Sequence, residues 1–206
     1  MSNDKRQEIV FAAAALMHSR GYENTKLADI LEEAQIGKGQ FYHYFGSKHE
    51  LGLAVLDHFF ENWNQRLMEG ILSSGKDSET KINEMFDWVI EQQRRNQAKC
   101  GCVFGNLAVE LSEHDEAFRS KLAAVFETWV NKLRPVLDAM ILPAQADPSE
   151  VDKMAQSIVA MIEGAILLMK SKQDLNILVN ITDQIKFLIK CFVQKHSYGT
   201  DVSMQV

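Results

Sequence analysis

Apolar residues recur at intervals of three and four along most of the chain, and nowhere in sustained alternation with polar ones. Ile9, Val10, Ala13, Leu16 and Met17 predict a first helix over about residues 5–20, with Gly21 as its left-handed stop. Leu27, Ile30, Leu31 and Ala34 share one face of a short second helix, KLADILEEA, for which Thr25 is the expected N-cap. After the tight turn QIG, the stretch KGQFYHYF forms a third helix. Ser47 opens SKHE, a capping box in which Glu50 returns a hydrogen bond to the cap. A long fourth helix then carries Leu51, Ala54, Val55, Phe59 and Trp63.

Beyond the loop SSGKDSE (73–79), Ile82, Met85, Phe86, Val89 and Ile90 mark a fifth helix. The glycine-punctuated CGCVFG interrupts the pattern before a short sixth helix, NLAVELS. Phe118, Leu122, Val125, Phe126, Trp129 and Leu133 mark a long seventh, which Pro135 is expected to kink. LPAQADPSE is the clearest break, with Asp147-Pro148 as a cap followed by proline at the first helical position. Two helices, about 149–171 and 174–196, complete the pattern, and SYGTDVSMQV reads as a frayed tail. The expected class is all-α. Residues 1–50 form a three-helix helix-turn-helix domain and residues 51–206 a larger helical domain.

Composition agrees. Only three prolines and eleven glycines punctuate 206 residues, and 46% are apolar, enough for a sizeable core. A net charge of −6 means that the whole-chain balance does not advertise a polyanionic partner. Three cysteines cannot all pair, which suits reduced thiols in the cytosol. Lys5 and Arg6 precede the apolar run IVFAAAALM, but Asp4 and Glu8 spoil a signal-peptide reading. The longest later run, IVAMIEGAILLM, has twelve residues and contains Glu163. A bilayer span needs about 20. The expectation is a soluble, cytoplasmic protein without a membrane partner.

Candidate chemistry concentrates in TKLADILEEAQIGKGQFYHYF. Two short helices joined by a glycine-containing turn make a helix-turn-helix, whose second helix enters the DNA major groove. Ile36, Phe41 and Phe45 fall on its inward face with Leu27, Ile30 and Leu31, which leaves Lys38, Gln40, Tyr42 and His43 outward. Gln pairs bidentately with adenine, and His or Tyr donates to base edges or phosphate. Gly39 lets the backbone approach a duplex. Lys48 and the amides at the Ser47 helix start suit phosphate oxygens. An aromatic core helix with no partner would leave Gln40 and His43 no reason to share a face with Lys38.

At these residues the chain resembles the TetR family of bacterial transcriptional regulators, over about residues 5–60 and most specifically at IGKGQFYHYFGSK. The resemblance implies base and phosphate contacts at Lys38, Gly39, Gln40, Tyr42 and His43, and phosphate contacts at Thr25, Lys26 and Lys48. Tyr44 sits sideways and suits either task. It implies a homodimer on a palindromic double-stranded operator, with C-terminal helices that form the dimer and enclose an effector pocket, and it favours repression. Residues 1–50 hold six Lys or Arg against seven Asp or Glu, so phosphate attraction must be local to Lys26, Lys38, Lys48 and Arg6.

In the larger domain, SIVAMIEGAILLM is apolar almost all round, and Gly164 and Ala165 permit close helix approach, which suits a dimer face or full burial in one subunit. Met85, Trp88, Phe104, Trp129, Met161 and Met169 are candidates either for lining an apolar pocket or for ordinary core. Glu163 is a cation-ligand contact or a solvated edge residue. Cys100 and Cys102 stand at the start of the sixth helix, where the helix dipole and upstream Arg94, Arg95 and Lys99 favour a thiolate. The Gly-Cys pair is similar to that of TetR-like regulators responsive to electrophiles or oxidants. Small-hydrophobe packing is the alternative, and it is the reading for Cys191. No hydrolase, metalloprotease or phosphate-loop motif is present, and CGC lacks the companions of a metal site. The expectation is a regulator without catalytic residues, metal or cofactor, answering to a small apolar or electrophilic effector. A helical protein-binding adaptor is the alternative.

Overall fold

A computed structural model describes residues 2–141 and 147–197. Among these, every regular element is helical: α1 (Ser2–Arg20), α2 (Leu27–Glu33), α3 (Lys38–Tyr44), α4 (Lys48–Trp63), α5 (Ser78–Arg95), α6 (Val103–Leu111), α7 (Glu116–Asp138), α8 (Pro148–Lys172) and α9 (Leu175–Ser197). A π-helical stretch, Asn64–Leu72, continues α4, with the Ser73 N–H donating to the Met68 carbonyl at 2.8 Å. Nothing in the residue pattern had signalled it. The first part of the expected break, 142–146, and the tail from 198 lie outside the described residues.

The chain divides into two compact units. One combines Met1–Gln65 with Cys102–Val125, and the other combines Arg66–Gly101 with Phe126–Val206. These units do not follow a cut at residue 50. α4, α6 and the first part of α7 join the N-terminal helices, because their apolar residues complete that core. Ile9, Val10, Ala13, Ile30, Phe41, Phe45, Leu51, Val55, Leu111, Phe118 and Leu122 are all buried there. Gly52 is the tightest point: a Cβ on it would come within 2.5 Å of the Tyr22 ring and 3.0 Å of Phe118. In the second unit α8 and α9 pack along each other. Val151, Ala155, Ile158, Ile162, Ala165 and Met169 of α8 and Leu178, Ile185 and Ile189 of α9 are buried. By length and composition α8 could cross a membrane, which the twelve-residue estimate missed, but this buried face makes it a core helix of its unit.

Local chemistry explains most boundaries and corrects several. α1 stops at Gly21, whose φ of +85° is the left-handed conformation expected there. The cap of α2 is Lys26, one residue later than expected, and the Asp29 carboxylate accepts the Lys26 N–H at 3.1 Å. Ser47 caps α4 as expected, accepting the Glu50 N–H at 3.1 Å, but Glu50 accepts from Gly46 and not from the cap itself. Asp77 caps α5 through the Thr80 N–H, shortening the expected loop. α6 already begins at Val103, with Gly105 inside it. α7 contains Pro135 and continues to Asp138. Asp147 caps α8 with Pro148 at its first position, as expected.

Candidate nucleic-acid interface

α3 has two chemically distinct faces. Phe41 is completely buried and Phe45 nearly so, their rings 5.9 Å apart, and the Arg6 guanidinium lies 4.7 Å from the centroid of Phe45. Lys38, Gly39, Gln40, Tyr42 and His43 are exposed, with Tyr42 at 55%. Tyr44 is half-buried, its ring edge-on to His43 at 4.9 Å. One side of a seven-residue helix therefore presents a cation, an amide, a phenol and an imidazole together. Gly39 has no left-handed φ, and a Cβ on it would meet nothing within 4 Å. Nothing among the described residues requires glycine here, although glycine in a helix interior costs up to about 1 kcal/mol relative to alanine.

The flanking candidates are placed differently. Thr25 is 0% exposed, and its hydroxyl donates to the Gly21 carbonyl at 2.7 Å, so it braces the turn before α2 and offers no outward group. Lys26 is exposed. Lys48 lies over the Tyr22 ring, with Nζ 4.2 Å from the centroid. Burial, followed by the carboxylates of Glu23, Asp115 and Glu110, pushes the Tyr22 phenol up to about 12.

Sequence reasoning missed the residues that hold this unit from the α6 side. Glu110 accepts the N–H groups of Tyr22 at 2.9 Å and Glu23 at 2.7 Å. Asp115 accepts the Phe118 N–H at 3.1 Å and pairs with His49 at 2.8 Å. The Phe118 amide first, and then His49, hold the Asp115 carboxyl below its usual range. No periodicity could have announced pairings across such chain separations.

The effector candidates scatter. Phe104 belongs to the first unit and stacks edge-on with Trp63 at 5.6 Å. Met85, Trp129 and Met169 are buried in the second unit, where Trp88, Met161 and Glu163 are half-buried. Among the described residues of that unit, two grooves stand out. One of about 460 Å³ lies between α8 and α9 and includes Met161, and one of about 500 Å³ is lined from α5 and α9. The other candidates line neither of these two.

Cys102 is the N-cap of α6 and is half-buried, like Cys100. Arg94 and Arg95 both pair with Glu91, at 2.6 and 3.0 Å, and that single carboxylate offsets one of their two positive charges. One expectation about the cysteines fails. Cys191 is exposed on α9, not packed in a core, because it lies on the side of the helix away from Ile185 and Ile189. Among the described residues no His, Cys, Asp and Glu side chains gather as a metal site.

Known proteins match on both sides of this description. Residues 9–55 match the family described as bacterial regulatory proteins, tetR family, and residues 78–184 match the C-terminal domain of LmrA/YxaF-like transcriptional regulators. An uncharacterized HTH-type transcriptional regulator from Lactococcus lactis subsp. lactis, in the lacX 3′ region, is 38% identical over 88% of this chain and 91% of its own. The HTH-type transcriptional repressor DhaR of Mycobacterium sp. (strain GP1) is 28% identical over 82% of this chain and 84% of its own. The crystal structure of the reduced form of NemR from Escherichia coli superposes with a TM-score of 0.73 at 27% identity, covering 89% of this chain and 96% of that one.

Proposed function

The chain belongs to the TetR family of bacterial regulatory proteins and is a DNA-binding transcriptional regulator; from that premise we propose a cytoplasmic homodimeric repressor that binds a palindromic operator and is released by an effector. The observation that carries it is the outward face of α3, where Lys38, Gln40, Tyr42 and His43 surround a glycine that the fold itself does not need. Gln40 and His43 read base edges, and Lys38 and Tyr42 contact bases or phosphates. Lys26, Tyr44 and Lys48 contact phosphate, while Thr25 holds the turn that aims them. Repression is supported by the similarity to DhaR, a repressor.

The dimer reading rests on α8. Gly164, Leu167 and Leu168 are exposed there, and a Cβ on Gly164 would meet nothing within 4 Å. Ala165 is buried within its own unit and is not part of that face. For the effector, Trp88, Met161 and Glu163 are the half-buried candidates and Met85, Trp129 and Met169 the buried ones of the same unit; Phe104 is the candidate of the first unit. Cys102, and secondarily Cys100, are the sites for an electrophilic effector, and the similarity to a NemR structure designated reduced supports that version.

Footprinting on the DNA upstream of its own gene tests the reading. A protected palindrome that persists under competitor DNA is expected, and protection that vanishes would return the adaptor alternative. Lys48→Ala should weaken binding to every sequence and lower the salt slope by about one unit. N-ethylmaleimide should release wild type and spare Cys102→Ser; unchanged wild-type affinity after complete alkylation would leave a non-covalent effector.

A further inference from the structure

Two carboxylates in the 110–115 stretch hold the helix-turn-helix on either side of its two short helices. Glu110, in the last turn of α6, uses one oxygen for the Tyr22 N–H and the other for the Glu23 N–H, at 2.9 and 2.7 Å. Those amides belong to the turn that leads from α1 to α2. Gly21 sets the approach: its φ is +85°, and a Cβ there would lie 3.1 Å from the same carboxylate. Asp115 meets His49 in the first turn of α4, the helix that follows α3. α2 and α3 therefore lie between two points fixed by the same stretch of chain.

A carboxylate that takes two successive backbone amides makes two charge-assisted hydrogen bonds in one fixed orientation. It positions backbone where a salt bridge between long side chains would leave slack. Glu110 is also an unsuitable DNA contact, since phosphate repels it. We infer that Glu110 is a positioning residue for operator binding, gripping the turn before α2 so that α2 and α3 are presented as one rigid reader. The inference rests on the proposed operator reading, and its test separates the two.

Glu110→Ala and Glu110→Gln, in the full-length chain, are compared with wild type in three measurements: affinity for the footprinted operator, affinity for a random duplex of equal length, and hydrogen exchange at the Tyr22 and Glu23 amides. The expected result for Glu110→Ala is at least a tenfold fall in the ratio of operator to random affinity. Exchange at those two amides should rise at least tenfold, while random-duplex affinity stays close to wild type and the variant remains folded at the assay temperature. Glu110→Gln keeps one acceptor oxygen and should fall between the two, and it carries the test if the alanine variant does not fold. Operator discrimination within twofold of wild type, in a folded variant whose two amides exchange faster, overturns the inference. A loss of discrimination that only follows the unfolded fraction overturns it as well. A wild-type protein that does not distinguish operator from random duplex defeats the operator reading instead.

Discussion

Gly39 in α3 and Gly164 in α8 have the same local description and opposite surroundings. Both are exposed, both lie inside a helix, neither has a left-handed φ, and a Cβ on either would meet nothing within 4 Å. Each therefore gives up about 1 kcal/mol of helix propensity without an internal return. Around Gly39 stand Lys38, Gln40 and His43 on a short helix whose other side is the buried Phe41. Around Gly164 stand exposed Ala160, Leu167 and Leu168, with Leu167 at 66%. A polar face with a gap in it suits a hydrated, charged partner such as duplex DNA; an apolar face with a gap suits another helix. The glycine announces close approach, and the neighbours identify what approaches.

The largest expected effect lies on the α8 side. Leu168→Asp should convert the dimer to a folded monomer, seen by native mass measurement at micromolar concentration. Operator affinity should fall by about 10²–10⁴-fold as the linked second half-site is lost. A wild-type monomer under the same conditions would break the comparison outright. Next come the readers on α3: Gln40→Ala and His43→Ala should each cost about 1–3 kcal/mol at particular operator positions while leaving the dimer intact. A uniform loss across all sequences would remove α3 as the reading helix.

The glycines themselves sharpen the contrast. Gly39→Ala and Gly164→Ala should each raise helix stability by about 1 kcal/mol, measured by urea denaturation. The first should weaken operator binding with dimerisation unchanged, and the second should weaken dimerisation. If either variant gains stability and loses nothing, that glycine has no partner.

The smallest effect is a difference in acid response between the two units. Burial holds the His58 imidazole of the first unit below its ordinary value of 6.5, so the unfolded chain takes up that proton first. Stability of this unit should begin to fall as the pH drops through 6.5, and His58→Gln should flatten that part of the profile. In the second unit the shifted groups are carboxylates: Thr80 holds Asp77 low, the Ser149 amide Asp147, and Lys195 Glu150. Their contribution is complete above the ordinary carboxylate range and is lost progressively as the pH falls from that range through their depressed folded values. Denaturation profiles at pH 7.5, 5.5 and 3.5, followed by amide exchange in each unit, check the order.

Much of this was legible because it is local. Helical periodicity, the Ser47 and Asp147 caps and the two-sidedness of α3 depend on residues within about one turn of each other, and the chain order displays them directly; the Asp77 cap is equally local but lay inside the expected loop 73–79. The pairing of Arg94 and Arg95 with Glu91 was equally local, and ordinary i,i+3 and i,i+4 spacing could have shown that one carboxylate answers both cations. Thr25 was harder. A threonine hydroxyl before a helix can cap it, face a phosphate or bond back to the preceding turn, and only its complete burial chose the last.

By itself, then, the sequence determined the helical class, the position of the helix-turn-helix and the outward chemistry of α3. Those follow from side-chain spacing along a repeating backbone and need no knowledge of what packs against it. Only the tertiary structure decided that residues 102–125 join the N-terminal unit, that Gly52 must be small and that Glu110 grips Tyr22 and Glu23. It also turned Leu167 and Leu168 outward and Ala165 inward on one apolar helix. Each of these depends on which distant segments meet, and many pairings of apolar helices satisfy the same spacing until steric fit and the demand of buried amides for acceptors select one.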